Sequence, residues 1–214
     1  NIDKKIIEKL PNNLFFEKNC LKLMIDSNLD YKKIIYSVFR ENLITLFIHA
    51  YQSYLFNKIL SEKMKSNRGK IKEGDIVIIL DYSGLPSNKT IYVRNNNIKL
   101  IERLIKNKKA VLGIPIIGEK LINNAEVINQ YEIPTIMKGE EINLNSLKFQ
   151  FNDQIKIKGE FRAAFIYPEL FKYKILNVKS NNQKKAVKFS FSLQKGSYAT
   201  IFLREFLKTN PLNY

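Results

Sequence analysis

One cysteine, Cys20, and one histidine, His49, stand among 214 residues. A lone cysteine excludes an internal disulfide framework and a multi-cysteine zinc site, and it suits a reducing compartment. A lone histidine excludes multi-histidine metal sites and makes any Ser-His-Asp triad depend on that residue. No window approaches the ~18 uncharged apolar residues that a membrane-spanning helix needs. Glycine is sparse, at eight residues, and the run Gly113-Ile114-Pro115-Ile116-Ile117-Gly118 lacks the Lys-Ser/Thr ending of a nucleotide-binding loop. Internal repeats and low-complexity stretches are missing too. The chain opens Asn1-Ile2-Asp3-Lys4, without an initiator Met or the apolar core of a signal peptide. It is expected to be a piece of a longer protein.

Hydrophobic residues make up 45%, aromatics 12% and charged residues 26%, proportions that exclude disorder for most of the chain. A chain of this length buries a real core, roughly two thirds of its unfolded surface. Lys and Arg number 36 against 20 Asp and Glu, a net charge of +16, and the pI is near 9.7. That surplus, mostly Lys, favours a polyanionic partner: nucleic acid or an anionic membrane face.

The pattern along the chain predicts an α+β fold in three stretches. The first is helical. Ile2, Ile6, Ile7 and Leu10 have helical spacing up to Pro11, and Leu14 to Ile25 and Tyr31 to Phe39 form two short amphipathic segments. A long helix runs from about Glu41 to Met64, with Leu43, Leu46, Phe47, Ala50, Tyr54 and Leu55 as its apolar stripe. Ser66-Asn67-Arg68-Gly69 ends it.

The second stretch has a small α/β texture. Asp75 to Leu80 reads as a buried strand, Ser83 to Asn88 as loop and Thr90 to Val93 as a second strand. Ile98 to Lys106 reads as a basic amphipathic helix with Asn96 or Asn97 as N-cap. Ala110 to Leu112 is a strand, Gly113 to Gly118 an apolar turn, and Ala125 to Gln130 a short helix ending before Pro134.

The third stretch is β-rich. Ile155 to Ile166 and Phe171 to Val178 are strand-like on either side of Pro168. Ala186 to Leu193 alternates, with Val187, Phe189, Phe191 and Leu193 on one face. Lys195-Gly196-Ser197 then turns the chain into a last helix carrying Ile201, Phe202, Phe206 and Leu207.

That strand–turn–helix corner is the most informative local feature. A helix N-terminus exposes unpaired N–H groups and partial positive charge, Gly196 allows close backbone approach, and Lys195 adds a full charge. Together with Ser197 they could hold a phosphate; an ordinary tight turn before a capped helix has the same pattern. Tyr198, in the first turn, could stack on a base or pack against the strand below. On the long helix, His49, Gln52, Ser53 and Asn57 are polar where one face must be buried, so amides there would bond backbone groups. The six Asp residues form no cluster: Asp75 and Asp81 bracket a strand, and Asp3, Asp26, Asp30 and Asp153 sit in turn or helix-start contexts where Asp caps backbone.

Five segments carry a resemblance. Phe47 to Ser61, FIHAYQSYLFNKILS, resembles a helix of the TruD family of tRNA pseudouridine synthases in its archaeal and eukaryotic branch. Phe191 to Lys208, FSLQKGSYATIFLREFLK, resembles that family's closing pattern L-P-x-G-S-Y-A-T followed by L-R-E, with Gln194 in place of the Pro. Gly159-Glu160-Phe161-Arg162 resembles its Gly-x-x-Arg strand, and Lys72-Glu73-Gly74-Asp75 and Pro115-Ile116-Ile117-Gly118 resemble features of its insertion domain.

The resemblance implies part of a pseudouridine-synthase mixed sheet flanked by helices, divided as residues 1–70 in the synthase domain, 71–146 in the inserted α/β domain and 147–214 in the closing strands and helix. It implies a cytoplasmic enzyme that isomerises a uridine of tRNA, classically at position thirteen, and in some members acts on other RNAs. The base is detached at N1, turned and rejoined through C5, with no cofactor or metal. The implied uridine-pocket residue is Tyr198. The implied RNA contacts are Lys195, Gly196, Ser197, Arg162, Arg204 and Gln52, across a cleft between the synthase and insertion domains. The family's essential Asp lies in an upstream Lys-Asp motif that these residues do not contain, so no Asp here takes the catalytic role. This chain alone is expected to be inactive. The alternative is a non-catalytic basic module that holds structured RNA. A membrane-surface role would need a long basic amphipathic helix, and 98–106 is short for it.

Overall fold

The computed structural model describes residues 4–27, 30–140, 143–145, 157–177, 185–194 and 196–208. The fold is α+β. Two compact units share the chain: Asn1–Ser66 with Pro115–Glu160, and Asn67–Ile114 with Phe161–Tyr214. Compactness thus groups the chain differently from the consecutive segments 1–70, 71–146 and 147–214 that the resemblance implies.

The first unit begins with α1 (Lys4–Lys9), α2 (Phe15–Asp26), α3 (Tyr31–Val38) and the long α4 (Glu41–Asn67). Asp30 caps α3 by accepting from the Lys33 N–H at 2.8 Å. Phe39, just past α3, stacks on Phe16 at 5.2 Å and meets Phe47 edge-on at 5.7 Å, which ties α2 and α4 together. The buried face of α4 is Ile44, Gln52, Leu55, Phe56, Ile59 and Lys63.

That corrects the stripe expected from sequence. Leu46, Phe47 and Tyr54 are exposed and Ala50 lies on their side of the helix. At ~100° per residue those positions lie opposite the buried ones. The helix is apolar on two faces, so counting apolar residues alone picks out the wrong one.

The rest of this unit holds α6 (Glu119–Ile122), α7 (Ala125–Gln130) and α8 (Ile133–Ile136). Asn124 caps α7 by accepting from the Val127 N–H at 3.2 Å. Pro134 sits in the first turn of α8, where its missing N–H is harmless. Leu121, Val127, Ile128, Tyr131, Ile133 and Ile136 are buried.

Strands β1 (Ile76–Leu80), β2 (Pro86–Tyr92), β3 (Ala110–Ile116) and β4 (Glu160–Ala163) form a sheet in the order β2-β1-β3-β4, and the second unit holds β1, β2, β3 up to Ile114 and β4 from Phe161. β1 pairs antiparallel with both β2 and β3. Its side chains alternate between two buried clusters. Val77 joins Val93 and Ile101, and Ile78 and Leu80 join Val111. The helix α5 (Ile98–Lys106) covers the first cluster with Ile98, Ile101 and Ile105.

Three local expectations need correction here. Gly113 to Ile116 is strand and not turn: β3 runs on through Pro115, because its pairing with β1 ends at Gly113 and the missing proline N–H breaks no bond to that strand. β2 starts at Pro86, inside the expected loop, as the first residue of an edge strand. Asn97 occupies the N-cap position of α5 without capping it. Its side chain accepts from the Arg94 N–H at 2.8 Å and donates to the Tyr92 carbonyl at 3.0 Å, bracing the incoming turn.

β5 (Glu169–Asn177) and β6 (Lys185–Ser192) form a separate antiparallel pair, followed by α9 (Ala199–Leu207). Residues 155 and 156 of the expected 155–166 strand lie outside the described residues; within them only Glu160–Ala163 is strand.

Candidate functional site

The corner between β6 and α9 is held from both sides. Ser197 N–H donates to the Gln194 carbonyl at 3.0 Å, closing a four-residue turn. Gly196 takes its third position at φ +87°, the left-handed region such a turn requires. Gln194 Nε2 donates to the Gly84 carbonyl at 2.6 Å, anchoring the turn to the β1–β2 hairpin loop. That loop is itself fixed: the Asp81 carboxylate accepts from the Ser83 and Leu85 N–H groups at 2.8 and 2.9 Å.

Helix α9 is seated by aromatic rings. Phe202 meets Phe191 at 4.6 Å, and Phe206 lies 5.0 Å from Phe189 and 5.6 Å from Phe171. The alternation read in β6 points Phe189 and Phe191 at this helix, as its period of two demands.

Tyr198 sits at the head of the helix, in the N-cap position. Its carbonyl accepts from the Ile201 and Phe202 N–H groups at 3.1 and 3.2 Å. The residue is 73% exposed, so its side chain is not enclosed against the strand below. Backbone anchored and ring free is the arrangement a stacking platform needs.

Gly196 is exposed, with open space where a Cβ would stand. Lys195 lies outside the described residues. Arg204 is exposed on α9, and the neighbouring Glu205 carboxylate is taken up by Lys208 at 2.7 Å. That Lys208 hydrogen bond holds Glu205 below the usual carboxylate range. Arg162 is exposed on β4.

Gln52 is placed differently from the other expected RNA contacts. It is 6% exposed, and its amide donates to the Ile117 carbonyl at 2.8 Å and the Lys158 carbonyl at 2.9 Å. Gly118 and Gly159 cross beside it: a Cβ on Gly118 would lie 2.4 Å from the Lys158 carbonyl. Both amide protons are engaged, so Gln52 pins two strands of backbone inside the first unit and is not free to touch RNA.

One cluster has no counterpart in the sequence reading. Glu140 accepts from Lys58 at 2.6 Å, Tyr54 at 3.0 Å and Tyr51 at 3.4 Å. The Lys58 hydrogen bond holds the Glu140 carboxyl down and raises the Lys58 ammonium. Tyr51, Tyr54 and Lys58 share a helical face at i, i+3 and i+7, which is legible. Their partner, 82 to 89 positions away, is not.

Two aspartates of the second unit serve the backbone. Asp75 is buried and accepts from the Lys72 N–H at 2.7 Å, and Asp81 closes the hairpin loop. His49 is exposed. Burial, helped by Glu17, pushes the Cys20 thiol up, away from a reactive thiolate. Among the described residues no cluster of three or more His, Cys, Asp or Glu could hold a metal ion, and no helix is long and apolar enough to cross a membrane.

The family pattern described as "tRNA pseudouridine synthase D (TruD)" matches residues 3–206. The chain belongs to the TruD family. The Methanosarcina acetivorans protein named "Probable tRNA pseudouridine synthase D" is 32% identical over 212 residues, covering 98% of this chain and 47% of that protein. The Thermococcus sibiricus protein of the same name is 31% identical over 210 residues, covering 96% of this chain and 47% of the other. The crystal structure described as "tRNA pseudouridine synthase D (TruD) from Methanosarcina mazei" superposes with a TM-score of 0.81 at 28% identity, over 99% of this chain and 48% of that one. The chain therefore spans about half the length of the TruD relatives it matches.

Proposed function

We propose that this protein is part of a tRNA pseudouridine synthase that isomerises a uridine of tRNA, with position thirteen as the site the family resemblance implies. It carries the uridine-side corner and not the catalytic Asp. In that reaction the bond from the ribose C1′ to N1 breaks, the base turns, a bond forms from C1′ to C5, and the C5 proton is released as N1 gains one. The uridine must first leave its stack, at a cost of a few kcal/mol. A base stacked on an aromatic ring gains ~1–3 kcal/mol, so one well-placed ring offsets much of that cost.

Membership of the TruD family over residues 3–206 carries the reading. The anchored Tyr198 with its exposed ring supports it as the stacking group, and Gly196, Ser197, Arg162 and Arg204 are the proposed contacts to the backbone around the extruded base. Lys195 joins them by its place in the motif. The division into 1–70, 71–146 and 147–214 and a cytoplasmic location belong to the same proposal.

The deciding experiment follows conversion of uridine to pseudouridine in tRNA and, because the isomers have equal mass, reads the product by a chemical label that adds selectively to pseudouridine. The full protein is expected to be active and the 214 residues alone inactive. No pseudouridine from the full protein on any tRNA would overturn the reading.

A second reading, a non-catalytic RNA-binding module, draws on one observation. Asp30, Asp75 and Asp81 each accept backbone N–H groups, the structural work of capping and turn carboxylates. Tight tRNA binding by the full protein without isomerisation would favour it.

A further inference from the structure

We propose that the outward ridge of α5, formed by Lys99, Arg103 and Lys106, is a phosphate-binding surface that grips the backbone of folded RNA. The proposal rests on the RNA-modifying reading above and adds to it a surface on a different element from the Tyr198 corner.

Helix α5 is clamped by its apolar side. Ile101 is 1% exposed and, with Ile98 and Ile105, packs against Val77 and Val93. At ~100° per residue, Lys99, Arg103 and Lys106 fall within about 60° of one another, on the side facing away from Ile101. All three are exposed. At ~1.5 Å of rise per residue they spread over about 10 Å. A strand carrying one phosphate per ~3.4 Å of axis presents about three phosphates over that length.

Among the described residues Lys99, Arg103 and Lys106 make no ion pair and no side-chain hydrogen bond, whereas Lys58, Lys65 and Lys208 are each held by a carboxylate at 2.6 or 2.7 Å. Glu102 sits on the flank of the ridge. Two of the three cations also have a reason internal to the helix, since Arg103 and Lys106 lie in its last turn, where positive charge suits the dipole. Lys99 lies in the first turn, where the dipole disfavours it. A cation set against the helix's own preference, aligned with two others, points to an external anion. Lys108 and Lys109, both exposed, extend the positive surface past the helix end.

The anion is a nucleic-acid backbone and not a membrane. A helix that lies in a lipid interface inserts its apolar face. The apolar face of α5 is already buried on β1, and Leu100 is the large hydrophobic it exposes.

The test is the triple variant K99A/R103A/K106A in the full protein, with tRNA affinity measured across salt from about 50 to 200 mM. Loss of three contacts is expected to make the slope of log K against log salt shallower by ~2–3. A charge-matched control, K22A/K33A/K120A, removes three exposed lysines from the first unit and is expected to leave the slope unchanged. Arg103→Lys, which keeps the charge, should keep the slope. A wild-type slope in the ridge triple, in a protein that still binds tRNA, overturns the ridge and leaves the synthase reading standing. Equal flattening by both triples also overturns it, because net charge alone would then account for binding. Ridge-dependent binding to anionic phospholipid vesicles with no effect on tRNA overturns it in favour of a membrane. Failure of the wild-type protein to bind any tRNA removes both proposals together.

Discussion

Gln194 donates its side-chain amide to the Gly84 carbonyl at 2.6 Å, joining points 110 positions apart in sequence. The bond fixes the turn that launches α9 against the loop that joins β1 to β2. Gln194→Ala leaves the Gly84 carbonyl without this donor, and a typical loss is about 1 kcal/mol. For a domain of this size that lowers Tm by about 2–4 °C, readable by thermal denaturation. An unchanged Tm would show that the loop and the turn are held independently.

Tyr198→Ala removes an exposed ring whose backbone does the structural work, so unfolding should change by less than about 0.5 kcal/mol. Isomerisation by the full protein should fall by roughly ten- to a hundredfold, the loss of one stacked base. Tyr198→Phe keeps the stacking surface and should retain most of the rate. Parallel loss of stability and activity in the Ala variant would assign the ring to the fold.

Gln52→Leu takes the donor from two backbone carbonyls, those of Ile117 and Lys158. Each buried acceptor left unpaired costs about 1–3 kcal/mol, so the first unit should lose about 2–6 kcal/mol in urea denaturation. tRNA affinity per folded molecule should stay at the wild-type value; a selective loss of affinity would return Gln52 to the RNA surface.

Gly118→Ala and Gly196→Ala should separate two kinds of glycine. At Gly118 a Cβ meets the Lys158 backbone at 2.4 Å, so two chain segments must part, at about 3 kcal/mol or more. At Gly196 the space is open but φ is +87°, and the strain is about 1–2 kcal/mol. Chemical denaturation of both variants checks the order, and a larger loss at Gly196 would contradict it.

The Lys58–Glu140 contact gives a pH signature. Glu140 titrates lower in the folded state, so its contribution is present above the unfolded carboxyl pKa near ~4.3 and fades as pH falls through the folded value. Lys58 titrates higher when folded, so its contribution holds below ~10.4 and is lost only at more alkaline pH. Glu140→Gln should therefore destabilise at neutral pH and converge with wild type in acid. A stability difference that persists below about pH 3 would mean that packing, and not charge, is what the substitution disturbs.

Elements whose apolar pattern was unambiguous were legible before any coordinates: the buried run of β1, the alternating β6, and the one-sided α5. α4 was legible as a helix but not in its orientation, because both of its faces are apolar and only burial distinguishes Ile44, Leu55 and Ile59 from Leu46 and Phe47. Gly113 and Pro115 read as punctuation, yet both lie in β3, where a Cβ on Gly113 would stand a tight 3.2 Å from the Ile78 side chain. At the candidate site the family motif singled out Tyr198, Gly196 and Ser197. Gln194 stands in the sequence only as a departure from proline; its bond to Gly84 supplies the restraint that a fixed φ would otherwise give. Gln52 stands in the motif helix, and nothing local reveals that Ile117 and Lys158 wait for its amide.

The interleaving of the two compact units limits how this protein can be dissected. Each unit is assembled from stretches on both sides of a piece of the other. No single pair of start and stop codons isolates either one: a continuous fragment that includes all of one unit drags along an orphaned portion of its neighbour. Separating them calls for circular permutation or a designed bridge across the excised portion.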